Sequence, residues 1–544
     1  MTIGSISSGK EILRPPWMQW LIPSTGDSIF VVLLGLLVYT ALAVRLLGDA
    51  GIGWHIRTGQ LILATHAIPH ADPFSSTMSG QPWFAWEWLY DVLVGWLDKL
   101  AGLNGVVFFA ASILALTFSW TFRLLLRRGT SFPVALVLVL LAASASMIHF
   151  FARPHVVSWF FTVVWFCVLD SSTGKNNDSG ADPPEHRRRL WFLPLLMILW
   201  VNVHGGFLLG FVLLAIYWFS AVWDYFRLTE DRFEEALQKI RAAKRIRNLG
   251  LIGLLSALAT LANPYGWRLH VHIYHYLSNR FLMDHIDEFQ SPNFHGVAQK
   301  CFAALLMLAL IALAAKARET AGIRLSEALV ILFAAYSGLY AARNIPVSAL
   351  LLILVIGPRL SGALQSLERR RTALGSTSPH FFQRMQSIEI ALRGHIWPIA
   401  ALALTCLITF HGGALGTEQL MKAHFDARRF PSGAIDYVES HNLRGPVFAP
   451  DSWGGYLIYR LYPQVKVAVD DRHDLYGEQF LKSYLKMMHV EPGWEKFLDQ
   501  YPVQHVLVPK NSALANILAE TPHWQPVYSD DVAIVFSPAS PKSQ

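Results

Sequence analysis

Three carboxylates, Asp49, Glu87 and Asp91, fall in one stretch that also holds His55 and the aromatic residues Trp83, Trp86, Trp88, Tyr90 and Trp96. A carboxylate at a membrane edge is partly desolvated and can take a proton from a hydroxyl near neutral pH. Glu87 and Asp91 are spaced i,i+4, which places them on one helical face. Elsewhere, Arg153 and His155 end the motif ARPH, and Arg343 stands in AARNIP. Guanidinium forks of this kind bind phosphate. Asn202 and His204 precede two glycines in WVNVHGGFLLG, where a sugar or phosphate can approach closely. A base for a hydroxyl together with donors for phosphate suits transfer from a phosphate-linked donor. Blander roles stay open: a helix cap for Asp49, an interfacial charge for Glu87, snorkelling for the arginines and a tight turn for Asn202 and His204.

These residues must be positioned by membrane helices. Of 544 residues, 53% are hydrophobic and only 15% charged. Soluble proteins carry roughly 25% charged residues. The missing charge lies in long apolar runs, which excludes a cytosolic enzyme, a disordered regulator and a disulfide-built secreted domain. Cys167, Cys301 and Cys406 each sit in an apolar run and form no metal-type pair.

A spanning helix needs about 20 apolar residues. About eleven spans are expected, near 29–47, 104–126, 132–149, 154–170, 190–203, 206–226, 248–262, 297–315, 324–341, 344–358 and 395–411. One set of connections holds 25 Lys/Arg and the opposite set 6. The basic set, which includes KIRAAKRIRN and borders the polar stretch KNNDSGADPPEH, is expected on the cytoplasmic side. That puts the N-terminus inside and the tail, 412–544, outside. The tail has 12 Lys/Arg against 15 Asp/Glu, so the +7 net charge is a topology signal and gives no support to nucleic-acid binding. The first apolar run reads as an uncleaved span, and the whole pattern suits a multi-pass protein of a bacterial inner membrane.

The first outer loop, 48–103, is long for a connection. Gly53–Ala64 is expected to form an amphipathic helix in the headgroup plane, followed by a proline-punctuated turn at IPHADPFS. A second large outer loop, 263–296, holds His270, His272 and His275, which lack a third ligand in any recognised metal pattern.

An N-in first span, an acidic residue directly after it and a long, half-helical, aromatic-rich loop (GDAGIGWH … IPHADPFS … PWFAWEWL) together resemble the GT-C superfamily. The motifs ARPH and WVNVHGGFLLG support the likeness. The resemblance implies a polytopic glycosyltransferase that uses a polyprenyl-phosphate sugar. It also implies a catalytic carboxylate at Asp49 and a second acidic residue at Glu87. The chain lacks a DxD-type pair beside Asp49 and a WWDYG-type motif, so transfer to a protein asparagine is not implied.

From Phe430 onward, strand and helix patterns alternate, which predicts a small, mostly parallel, Rossmann-like sheet. No GxGxxG follows a strand. Two dense motifs stand out, DSWGGYLIYR and VDDRHDLYGE. Asp470, Asp471, Arg472, His473 and Asp474 either line an acceptor pocket beyond the strand ends or dock the tail onto the membrane half.

The expected architecture is therefore an α-helical polytopic module, 1–411, with an extracytoplasmic α/β domain, 412–544. The expected activity moves a sugar from a polyprenyl-phosphate donor to a lipid or glycan hydroxyl at the outer face. Asp49 and Glu87 act catalytically, and His55, Asp91, Arg153, His155, Asn202, His204 and Arg343 bind substrate. No cofactor is specified, and a divalent metal stays an open alternative. The competing function is a transporter or flippase of a lipid-linked substrate. Transporters usually show internal repeats and charges at mid-membrane. Neither is evident here.

Overall fold

The computed structural model describes residues 18–172, 188–229, 232–315, 322–372, 380–392 and 394–539. The polar stretch KNNDSGADPPEH lies outside them. Each apolar run read as a span falls on a helix. Among the described residues, five helices are long and apolar enough to cross a bilayer: Trp88–Arg127, Phe132–His149, Gly205–Arg227, Val297–Ala314 and Ala342–Ser366. The chain is thus a multi-pass membrane protein. The expected eleven spans include shorter helices, such as Thr25–Tyr39, His155–Ser171 and Leu325–Tyr340. Fifteen residues at about 1.5 Å each fall short of a core roughly 30 Å thick. The first of these helices breaks at Thr40, whose hydroxyl turns back onto the Leu36 carbonyl at 2.6 Å.

The first loop is more structured than its sequence suggests. Helix Trp88–Arg127 begins inside the aromatic cluster and continues through a kink at Gly102 into the expected span. Helix Ile52–Thr65 forms where expected. It packs between the start of Trp88–Arg127 and helix Asp451–Leu461 of the tail, burying Trp54, His55, Ile56 and Ile62. Small residues allow this approach: a Cβ on Gly53 would stand 2.1 Å from the Gly455 carbonyl oxygen.

The tail opens with a short hairpin, β1 (Ala414–Leu415) and β2 (Glu418–Gln419). A four-stranded sheet follows, made of β3 (Val447–Phe448), β4 (His505–Pro509), β5 (Trp524–Ser529) and β6 (Ala533–Pro538), in the order β3-β4-β6-β5. Only β3 and β4 run parallel; β4–β6 and β5–β6 are antiparallel. The expected mostly parallel sheet is therefore corrected to a mixed one, for two reasons. Asp530 accepts from the Val532 and Ala533 N–H groups, closing a tight hairpin whose strands must be antiparallel. KVAVDD makes only isolated bridges, Val467 with Val447 and with Ser75 of the first loop.

Half of the tail shares its core with the membrane part. Leu457, Val467, Leu507 and Val535 belong to the same apolar cluster as Trp54, Phe74 and Trp83. A second cluster, around Phe480, Phe497 and Val508, takes in Leu282 of the later loop.

Candidate active site

The tail and the first loop meet at one guanidinium. Arg153 follows the helical turn Met147–His149 and leads into helix His155–Ser171. Its Nη1 donates to Asp49 Oδ1 at 2.8 Å and to Asp471 Oδ2 at 2.9 Å. Asp49 Oδ1 also accepts from the Gly51 N–H at 2.8 Å, and Trp54 Nε1 donates to Asp471 Oδ1 at 2.9 Å. Gly51 is required here, because a Cβ would stand 1.8 Å from Arg153 Nη1. Burial pushes the Asp471 carboxyl up to about 6, against the pull of Arg153. Burial alone would ease a proton off Arg153, but Asp49 and Asp471 bind it more firmly than usual. The Asp49 side chain is 33% exposed, and its Oδ2 has no hydrogen-bond partner among the described residues.

A second carboxylate stands between two imidazoles. Glu87 stands at the position just before helix Trp88–Arg127, its side chain making no capping hydrogen bond. Its Oε2 lies 3.7 Å from His55 Nε2, and its Oε1 lies 3.7 Å from His204 Nε2. Burial pushes the Glu87 carboxyl up to about 8, although Arg153 opposes this. His55 is fully buried, stacks on Trp54 and shares a 2.6 Å hydrogen bond between Nδ1 and Asp91 Oδ1. His204 Nδ1 accepts from the Gly206 N–H at 3.0 Å, so the ring proton sits on Nε2, facing Glu87. Ser158 Oγ, itself an acceptor from Trp200 Nε1, lies 2.8 Å from the same Nδ1. Burial holds His55 and His204 well below the usual imidazole range.

The remaining expected residues divide. Arg343 stands 3.1 Å from Glu288 and over the Phe289 ring. Burial opposes charge on Glu288, yet Arg343 and nearby histidines bring its carboxyl down to about 2. His155 Nε2 lies 2.8 Å from the His149 carbonyl oxygen. The Asn202 amide is engaged within the protein: its Oδ1 accepts from Trp88 Nε1, and its Nδ2 donates to the Ile198 and Ala262 carbonyls. Its amide ties its own helix to the start of Trp88–Arg127 and to the turn after Phe233–Ala259.

Two residues of the VDDRHD motif, Arg472 and Asp474, pair with the outer loops of the membrane half. Arg472 is buried, holds Asp470 at 2.7 Å and Asp72 of the first loop at 2.8 Å, and lies over the Phe74 and Trp83 rings. Asp474 meets His272 of the later loop at 3.0 Å. His473 pairs with Asp451 inside the tail at 2.8 Å. Only Asp471 reaches the Asp49 site. Sequence reasoning missed Trp54, Ser158, Trp200 and Glu288 as supports. Of these, Trp54 and Trp200 stand in the motifs GDAGIGWH and WVNVHGGFLLG, and Ser158 lies about one turn after His155 in ARPH. Among the described residues, no group of three or more His, Cys, Asp or Glu is disposed to hold a metal ion. Between Asp49 and Asp471, the place a cation would take is filled by Arg153 itself, so a metal does not fit this pair.

No family model and no curated protein matches the chain. Solved structures do match. The crystal structure of the Archaeoglobus fulgidus oligosaccharyltransferase tethered with an acceptor peptide aligns with a TM-score of 0.52 at 12% identity, covering 95% of this chain and 74% of that one. The chain has the GT-C fold. ArnT from Cupriavidus metallidurans aligns at a TM-score of 0.48 and 12% identity, covering 94% of this chain and 96% of that one. The mycobacterial arabinofuranosyltransferase AftD aligns at 0.49 and 14% identity, covering 94% of this chain and 41% of that one. In this GT-C fold, Asp49 and Arg153 come together where the first loop meets the tail.

Proposed function

We propose that the chain is a glycosyltransferase that moves a sugar from a polyprenyl-phosphate donor to an acceptor hydroxyl. The observation that carries this reading is the state of Asp49. One of its oxygens is fixed by Arg153 and Gly51, while the other is unbonded and accessible. A base needs that geometry: a locked carboxylate with a lone pair free for the incoming proton. Sharing the fold of an oligosaccharyltransferase supports sugar transfer in general.

In the proposed step, Asp49 Oδ2 takes the acceptor hydroxyl's proton. The acceptor oxygen bonds to the anomeric carbon, and the bond from that carbon to the phosphate oxygen breaks. The electron pair leaves with the lipid phosphate. Arg343, held by one carboxylate, offers further N–H groups to that phosphate, whereas Arg153 is clamped by two and mainly orients Asp49. Glu87, with its carboxyl near 8, is protonated at neutral pH and serves as a hydrogen-bond donor in the pocket. The Lys/Arg asymmetry of the connections supports a cytoplasmic N-terminus and an outer-face site, in a membrane of the bacterial inner type.

The test incubates the purified protein with a panel of radiolabelled polyprenyl-phosphate sugars and membrane-extract acceptors. The reading expects sugar to leave one donor and appear on a lipid or glycan. Binding of donors without turnover of any would overturn it in favour of a flippase.

A further inference from the structure

A cavity of about 440 Å³ opens at the end of the bundle away from Asp49. It lies between helices Thr25–Tyr39, Trp88–Arg127 and Ile396–Phe410. Helix Trp88–Arg127 begins beside Glu87 in the candidate site and ends at this cavity, so the two lie at opposite ends of the bundle. Its size falls in the range of about 300–1,000 Å³ usual for ligand sites.

The lining divides by chemistry. Phe30, Ile113, Leu116, Trp120, Ile399 and Leu402 make an apolar wall. Leu116 is 38% exposed and Ile399 64%, so the wall is open sideways, along the helices. In a spanning bundle such exposure faces acyl chains. The mouth carries Arg123, Arg127 and His395 with the carboxylate Asp27, and a second carboxylate, Glu389, is held beside it by the Gly26 N–H at 3.3 Å and the Thr25 hydroxyl at 3.2 Å. Asp27 is engaged already: it caps its own helix through Ser24 and stands 2.9 Å from His395 and 3.5 Å from Arg123. Arg127 is exposed and has no hydrogen-bond or ion-pair partner among the described residues.

We propose that this cavity binds one anionic glycerophospholipid from the leaflet away from the candidate site, with its phosphodiester at Arg123 and Arg127 and its acyl chain along the apolar wall. Arg123 is engaged by Asp27, His395 and the Leu392 carbonyl, so the exposed Arg127 side chain is what selects a negative headgroup. The apolar wall selects a chain that a free phosphate lacks. A zwitterionic lipid would satisfy the wall and leave the Arg127 charge unmatched.

The test is native mass spectrometry of the full chain in mild detergent, titrated with dioleoyl-phosphatidylglycerol or dioleoyl-phosphatidylcholine, with inorganic phosphate as competitor. Phosphatidylglycerol adducts are expected at about tenfold lower lipid concentration than phosphatidylcholine adducts. Arg127→Glu and Leu116→Trp should each weaken the phosphatidylglycerol adduct by about tenfold, one through charge and the other by filling the cavity. Both positions are surface-exposed, so the fold tolerates them, and circular dichroism checks this. Equal binding of the two lipids would overturn the proposal. So would undiminished phosphatidylglycerol binding in both variants, or its displacement by inorganic phosphate.

Discussion

Asp49 of the first loop and Asp471 of the tail share one guanidinium nitrogen, Arg153 Nη1, at 2.8 and 2.9 Å. The tail therefore completes the setting of the candidate base. Asp471→Asn keeps the Trp54 contact and removes one charge from Arg153. Activity should fall by about tenfold, well short of the loss of a base, which is roughly 10²–10⁴. Initial rates at saturating donor check this.

Gly51→Ala should act as an active-site lesion although it adds only a methyl group. The new Cβ would displace Arg153 and the Asp471 carboxylate, 1.8 and 2.3 Å away. Transfer should drop by about 10² or more, since misplacements of roughly 1 Å cost that much. The unfolding temperature measured in parallel should stay close to that of wild type.

Arg472→Ala should detach the tail. It strands Asp470 and Asp72, both buried, without their cation. Breaking a buried pair from one side costs about 3–5 kcal/mol. Limited proteolysis near residues 412–430 should accelerate, and thermal unfolding should shift downward. Asp474→Asn, at a half-buried single pair, should do much less.

Glu87 gives a pH signature. Its folded-state carboxyl lies near 8, above the ordinary value of 4.5. The folded protein therefore holds this proton more tightly than the unfolded chain does. Its contribution to stability is full below about pH 4.5 and is lost as pH rises through about 8. Glu87→Gln removes that window. Wild type should lose more thermal stability than the variant between those limits, and parallel curves would contradict the assignment.

The sequence made the helices legible because long apolar runs admit one solution in a bilayer. It also showed strand and helix patterns alternating through the tail from Phe430 onward. It did not reveal the sheet's mixed direction, since KVAVDD has a strand's composition but spends its backbone on Val447 and Ser75 instead. The roles of the polar residues were legible only by type. Asn202 looked free beside two glycines, yet its amide is consumed by Trp88, by the Ile198 carbonyl of its own helix and by the Ala262 carbonyl in the turn after Phe233–Ala259. Arg472 and Asp471 are neighbours in one motif and serve different ends. One ties Asp72 and the other reaches Arg153, a division set by packing across hundreds of residues.

The most direct measurement compares wild type with Asp49→Asn in single-turnover transfer from the donor that wild type accepts, with donor binding measured alongside. The account predicts unchanged donor affinity and a rate lower by about 10²–10⁴, as for loss of a general base. Equal rates in the two proteins would contradict it and move the base to another carboxylate.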